Sequence, residues 1–214
     1  MPVKTNEREY RDIDIQNMEV RTLEDGQDIV EGYATTWTEY LLWDDGEYRM
    51  YERFDPHAYD GCDMSDVIMQ LNHEGRVFAR GGNSTLTVGP DEKGLHMRAY
   101  LGGTEAGRQI RDEIKGGYLT KMSQGFRVKK DKREVVEDRE NHRVDIHRTV
   151  LEVEKLYDVS VVSLPANSAT EISVRSISDG LIAEVREEIT ARAERERKIE
   201  EIRNLLTGGK SDEA

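Results

Sequence analysis

Apolar residues in this chain recur mostly at a spacing of two, in short runs cut by turn residues, and that period points to a fold built mainly of β-strands. VIMQLNHEG at 67–75 alternates and ends at Asn72-His73. STLTVGPDEKGLHMRAYL at 84–101 reads as a hairpin, with its turn running from Gly89-Pro90-Asp91 to Gly94. Residues 9–37 read as two strands about EDGQ at 24–27, followed by a polar and aromatic loop at 38–50. Residues 118–128 form a further strand. A charged hairpin through EDREN at 137–141 and a strand pair within 144–165 follow it. Helical signals inside this region are confined to TEAGRQIRDEIKGG at 104–117. Thr104 supplies an N-cap, Ile110 and Ile114 lie one turn apart, and Gly116-Gly117 stop the helix. Many short strands around one helix predict an α+β fold, mainly antiparallel, closed as a barrel or packed as a sandwich.

Charge divides the chain. Of its 214 residues 35% are charged and 36% hydrophobic, an apolar share below the usual 45–50% or so. Thirteen of the twenty residues from Glu184 to Arg203 are charged, so the remainder keeps enough apolar material for a core. The predicted division is a folded domain over 1–175 and a charged helical tail over 176–214. In the tail Leu181, Ile182, Val185, Ile189, Ile199, Ile202, Leu205 and Leu206 make a helical stripe interrupted by Arg192 and Glu196. A net charge of −13 argues against nucleic acid as the main partner. The N-terminal MPVKTNEREYRD has no apolar core of a secretory signal, and no run is long enough to span a bilayer. Cys62 is the single cysteine, which fits a reducing compartment and excludes an internal disulfide.

Strand parity sorts the candidates for chemistry. In 118–128, Met122, Phe126 and Val128 share one face, which leaves Ser123 and Gly125 on the other. In LYDVSVVSLP, Tyr157, Val159 and Val161 form the apolar face, so Asp158 and Ser160 point away from it. His73 shares parity with Val67, Met69 and Leu71, and its facing stays open. A serine, a histidine and a carboxylate suffice for acyl transfer: the imidazole takes the hydroxyl proton and the acid orients and stabilises it. The last histidine is His147, so an order of Ser123, Asp158, histidine cannot occur, and Lys121 stands where a G-x-S-x-G elbow needs glycine. The order that remains is His73, Ser123, Asp158.

Several segments, in order, resemble one family: EGYATTW, MYERFDPHAYDG, QLNHEGR, TLTVGPDEKGLHMRAYL, TEAGRQIRDEIKGGYLTKMSQGF and LYDVSVVSLPAN. Over about residues 28–175 they follow the pattern of the HK97-like prohead maturation proteases of tailed bacteriophages. The resemblance implies an assemblin-like fold, a small β-barrel surrounded by helices. It implies a serine endopeptidase with His73 as general base and acid, Ser123 as nucleophile and Asp158 as the third member. That last position is often glutamate in the family, one methylene longer. No cofactor is implied. The implied substrates are the major capsid protein, its scaffold or delta-domain segments and the protease itself, cut inside the immature prohead in the bacterial host cytoplasm, with self-association of the protease as a further expectation. Gly125 is expected to admit the substrate backbone, and Pro165-Ala166-Asn167 to supply oxyanion-hole N–H groups.

Plainer readings stand beside these. Without the resemblance Ser123 reads as an exposed strand serine and His73 as a strand-end histidine bonded to a neighbouring loop, and Asp158 reads also as a partner of Lys155 or Arg148. Asp55, His57, Asp60 and Asp63 offer metal-ligating atoms but read more simply as solvated loop acids, so no metal is assigned. Two rival functions are a non-catalytic assembly or scaffold module working through the tail, and a metal-dependent hydrolase using the 55–63 acids.

Overall fold

The computed structural model describes residues 8–13, 18–163 and 168–207. Its strands are β1 (Glu9–Ile13), β2 (Glu19–Thr22), β3 (Asp28–Thr36), β4 (Tyr40–Asp44), β5 (Tyr48–Phe54), β6 (Ile68–Leu71), β7 (Glu74–Arg80), β8 (Leu86–Pro90), β9 (Gly94–Tyr100), β10 (Lys121–Asp138) and β11 (Arg143–Val162). Helix α1 (Glu105–Lys115) joins β9 to β10, and α2 (Ser168–Thr207) follows β11.

The strands fall into two sheets. One runs β1-β10-β11-β5-β4, with β6 and β7 added beside β11; the other runs β2-β3-β9-β8. The fold is α+β and mostly strand, as expected. The barrel is not: among the described residues no pairing closes either sheet on itself. The reason lies in β11, which lends one edge to two strands in turn. Val144–Val150 pair in parallel with β5, and farther along Asp158 and Val161 pair with β6. The sheet therefore branches instead of curling shut. The expected strand arm of residues 9–22 is also divided, β1 joining the first sheet and β2 the second.

Residues 38–50, expected as loop, contain β4 and the start of β5. They pair across a turn in which Gly46 takes a φ of 92° and the Asp45 carboxylate accepts from the Tyr48 N–H at 2.7 Å.

The main core lies between the sheets. Val30, Ala34, Leu95, Met97 and Ala99 meet Met69, Met122, Phe126, Leu156, Val159 and Val161, with Ile110 and Ile114 of α1 closing one side. Helix α1 behaves as its signals predict: Thr104 Oγ1 accepts from the Gly107 N–H at 3.0 Å, and Gly117 adopts a φ of 75° after the last turn. A second cluster joins Tyr48, Met50 and Ile146 to Ile177, Leu181, Ile182 and Val185 of α2. Helix α2 passes through position 176 without interruption, and its distal Ile199, Ile202, Leu205 and Leu206 are exposed.

Between the two clusters lies a buried ionic network. Glu52 sits on the same face of β5 as Met50 and Phe54, opposite Arg148 of β11. Arg148 contacts the carboxylates of Glu52, Glu9 and Asp131, and Arg11 binds Glu52 at 2.6 and 3.0 Å and Glu9 at 2.7 Å. Burial alone would push the Glu52 carboxyl up, but the Arg11 and Arg148 charges outweigh it and hold it below its ordinary value.

Candidate active site

β10 and β11 place two of the candidates by register. Ser123 stands opposite Ser160, and Gly125 opposite Asp158, so the side chains of Ser123, Ser160 and Asp158 share, at the open position left by Gly125, the sheet face turned away from Met122, Phe126, Val159 and Val161. Past Gly125 the register jumps to Phe126 opposite Leu156, a bulge that leaves Tyr157 as the extra residue beside Asp158.

His73 arrives by a different device. Leu71 of β6 pairs with Glu74 of β7, leaving Asn72-His73 as a two-residue turn with φ of 54° and 62°. Such primed turns match the twist of a hairpin and favour asparagine. Asn72 is tied to the end of β11: its N–H donates to the Val161 carbonyl at 2.9 Å, its Oδ1 accepts from the Ser163 N–H at 3.0 Å, and its Nδ2 donates to Ser163 Oγ at 3.1 Å. The turn thus carries the imidazole onto the face that holds Ser123 and Asp158.

There the three side chains form one hydrogen-bonded line. His73 Nε2 lies 2.6 Å from Ser123 Oγ, and His73 Nδ1 lies 2.6 Å from Asp158 Oδ1. Donation from Nδ1–H to the carboxylate fixes the tautomer that leaves Nε2 free to accept a proton. Asp158 Oδ1 also accepts from Ser160 Oγ at 2.6 Å, and Asp158 Oδ2 pairs with the Arg8 guanidinium. Burial pushes the His73 imidazole down to about 4; Asp12 opposes this and the Arg8 charge adds to it.

Two participants were given no role by the sequence. Ser160 was legible, since it lies two residues from Asp158 on the same face. Arg8 lies 150 positions from Asp158 along the chain and has no local signal.

Gly125 also stands against polar side chains of the site itself. A Cβ at this position would stand 2.4 Å from Asp158 Oδ2 and 2.8 Å from Arg8 Nε, so the glycine makes room for the carboxylate and its guanidinium partner. Ala166 and Asn167, with Pro165, lie outside the described residues.

The plainer candidates have partners of their own. Asp63 pairs with Lys155 at 2.6 Å, His57 with Asp60 at 3.0 Å, and His147 with Glu39 at 3.0 Å. Burial pushes the Cys62 thiol up to about 12, which keeps it protonated and unreactive at neutral pH. Among the described residues no group of three or more potential ligands gathers as a metal site, and no helix is long and apolar enough to cross a membrane.

A hydroxyl, an imidazole and a carboxylate in line are equipped for acyl transfer, the chemistry of serine hydrolases. The chain belongs to the caudovirus prohead serine proteases, whose family model matches residues 16–182. Among solved structures it is similar to the bacteriophage T4 capsid assembly protease gp21, at 13% identity and a TM-score of 0.38, over 73% of this chain and 99% of that one. No curated protein matches the sequence.

Proposed function

We propose that this prohead protease is an endopeptidase of the Ser-His-Asp type, with Ser123 as nucleophile, His73 as general base and acid, and Asp158 as the orienting carboxylate. The observation that carries the reading is the unbroken line of 2.6 Å contacts from Ser123 Oγ through the imidazole to Asp158 Oδ1. Ser123 Oγ attacks the scissile carbonyl carbon while Nε2 takes the hydroxyl proton. The imidazolium so formed is stabilised by Asp158, then returns the proton to the leaving amine to give the acyl-enzyme. Water, deprotonated by His73, releases the second product. The bulge at Tyr157 and the hydrogen bond from Ser160 support the Asp158 side chain close to Nδ1.

Its substrates are capsid protein, with scaffold or delta-domain segments and the protease's own chain as the pieces removed, in the immature prohead within the host cytoplasm. In this reading the catalytic unit is residues 1–175 extended by the docked part of α2, since Ile177, Leu181, Ile182 and Val185 pack on the first sheet and move the expected boundary at 176 farther along the helix. The charged stretch beyond serves scaffold docking or is trimmed, its distal apolar positions being exposed.

Co-expression with the cognate capsid protein, followed by intact-mass measurement of both chains, tests the assignment. Ser123→Ala should abolish cleavage of both while its circular dichroism stays that of the parent. Undiminished cleavage would reject it.

A further inference from the structure

The three side chains are closed off from solvent. Ser123 and Asp158 are fully buried, and the side chain of His73 is 3% exposed. A scissile carbonyl has to come within about 3–3.5 Å of the attacking oxygen, so whatever covers Ser123 must move first. On the outer side of β10 the cover is β1. Its register sets Asp12 opposite Ser123 and Tyr10 opposite Gly125. The Arg11 carbonyl accepts a hydrogen bond from Ser123 Oγ at 3.1 Å, the Tyr10 ring lies 4.5 Å from the His73 ring, and Arg8 pairs with Asp158.

Extended peptides bind sheet proteins by adding a strand to an edge. Near Ser123, β10 has two neighbours, β1 and β11. β11 carries Asp158 and cannot leave without dismantling the site. The β1 side is where an incoming chain can pair.

β1 also works against the chemistry. The Ser123 hydroxyl has one proton and two acceptors, His73 Nε2 and the Arg11 carbonyl. Arg8 shares the carboxylate that should stabilise the imidazolium, and its own charge disfavours that cation.

Its seat is polar: freeing β1 breaks the contacts of Arg11 with Glu52 and of Glu9 with Arg148, while Glu9 and Arg11 keep their own pairing. Glu52, Arg148 and Asp131 remain bonded to one another, at 2.8 Å between Glu52 and Arg148 and 2.6 Å between Arg148 and Asp131. The region matched by the family model begins at residue 16, beyond β1.

Building on the proposed roles of Ser123, His73 and Asp158, we infer that the edge of β10 over residues 121–126 is the binding site for an extended polypeptide substrate, and that β1 is an intramolecular occupant holding the protease closed until it is displaced.

The test is the rate at which a fluorophosphonate phosphonylates Ser123 with loss of fluoride, followed by intact mass and peptide mapping, in the full-length protein and its Arg8→Ala and Arg11→Gln variants. Both variants should react at least tenfold faster. Amides of 9–13 should exchange with solvent at least tenfold faster than those of 156–162 in the unaltered protein, and faster still in the variants. An unchanged or slower rate in a folded Arg8→Ala variant would overturn the inference, since a guanidinium that merely supported Asp158 would slow the reaction when lost. So would β1 amides in the unaltered protein as protected as those of β11. If Arg11→Gln fails to fold, the half-exposed Arg8 and the exchange measurement still decide. Failure of the underlying assignment looks different: label absent from Ser123 in every protein, or Ser123→Ala labelled as fast as its parent.

Discussion

Asp158 receives three groups at once: His73 Nδ1, Ser160 Oγ and the Arg8 guanidinium. Asp158→Asn keeps the shape but offers an amide where a carboxylate fixed the tautomer, so kcat for capsid-peptide cleavage should fall by on the order of 10⁴-fold with little change in KM. The acid limb of Ser123 acylation reports on His73. In the proposed mechanism the neutral imidazole is the base, which exists above its pKa, so the rate should rise with pH through a midpoint near 4 in the intact protein. Arg8→Ala removes a positive charge from the imidazole's surroundings, so cation formation becomes easier and the midpoint should move up towards the ordinary 6.5; a pH profile at unchanged or lower midpoint would contradict the charge argument. Parity in the sequence already put Ser123 and Asp158 on one kind of face, because a strand residue has only two choices. It was silent on His73, since a turn residue at positive φ obeys no strand parity. It was silent on Arg8, whose contact depends on how β1 registers with β10.

The β6–β7 turn is the element on which the site depends most. Asn72 clamps it to the end of β11 through Ser163 and Val161, and holds the positive φ that a β-branched or aliphatic residue resists. Asn72→Gly keeps the turn geometry and the backbone bond to Val161 but loses the side-chain bonds to Ser163. Acylation of Ser123 should drop at least tenfold while urea unfolding shifts by no more than about 1–2 kcal/mol, the scale of two or three partly exposed hydrogen bonds. Equal and large losses in both would mean that the turn is simply part of the framework. Strands were legible where alternation was clean, as in β8 and β9. They were missed in β4 and β5, where Trp43, Tyr48 and Tyr51 interleave with acids and arginines and the pattern reads as loop. The branching of the sheet at β11 was not legible either, because it depends on which part of a 20-residue strand each neighbour chooses.

Across the whole molecule, two kinds of cement hold the first sheet: the ionic network and the docked half of α2. Glu52→Gln removes the buried carboxylate that joins Arg11 to Arg148 and should cost about 3–5 kcal/mol in urea unfolding, since it breaks the charged hydrogen bonds of both arginines at the centre of the network. The depressed Glu52 pKa means that its contribution is complete above the unfolded value of about 4.3 and is lost as pH falls below it. Leu181→Ala should cost about 2–5 kcal/mol, whereas charge substitutions at Ile199 or Ile202 should stay within about 0.5 kcal/mol, because those side chains are exposed. Equal effects at the two ends of α2 would contradict the two-part reading of the helix.

β11 comes last of the strands among the described residues, yet it holds the middle of the first sheet, the anchor for Asn72 and, in the proposed assignment, the acid. A nascent chain that stops short of Asp158 then holds hydroxyl and imidazole without their carboxylate, on strands still lacking their central neighbour. Proteolytic competence waits on the part of the sheet that is translated last.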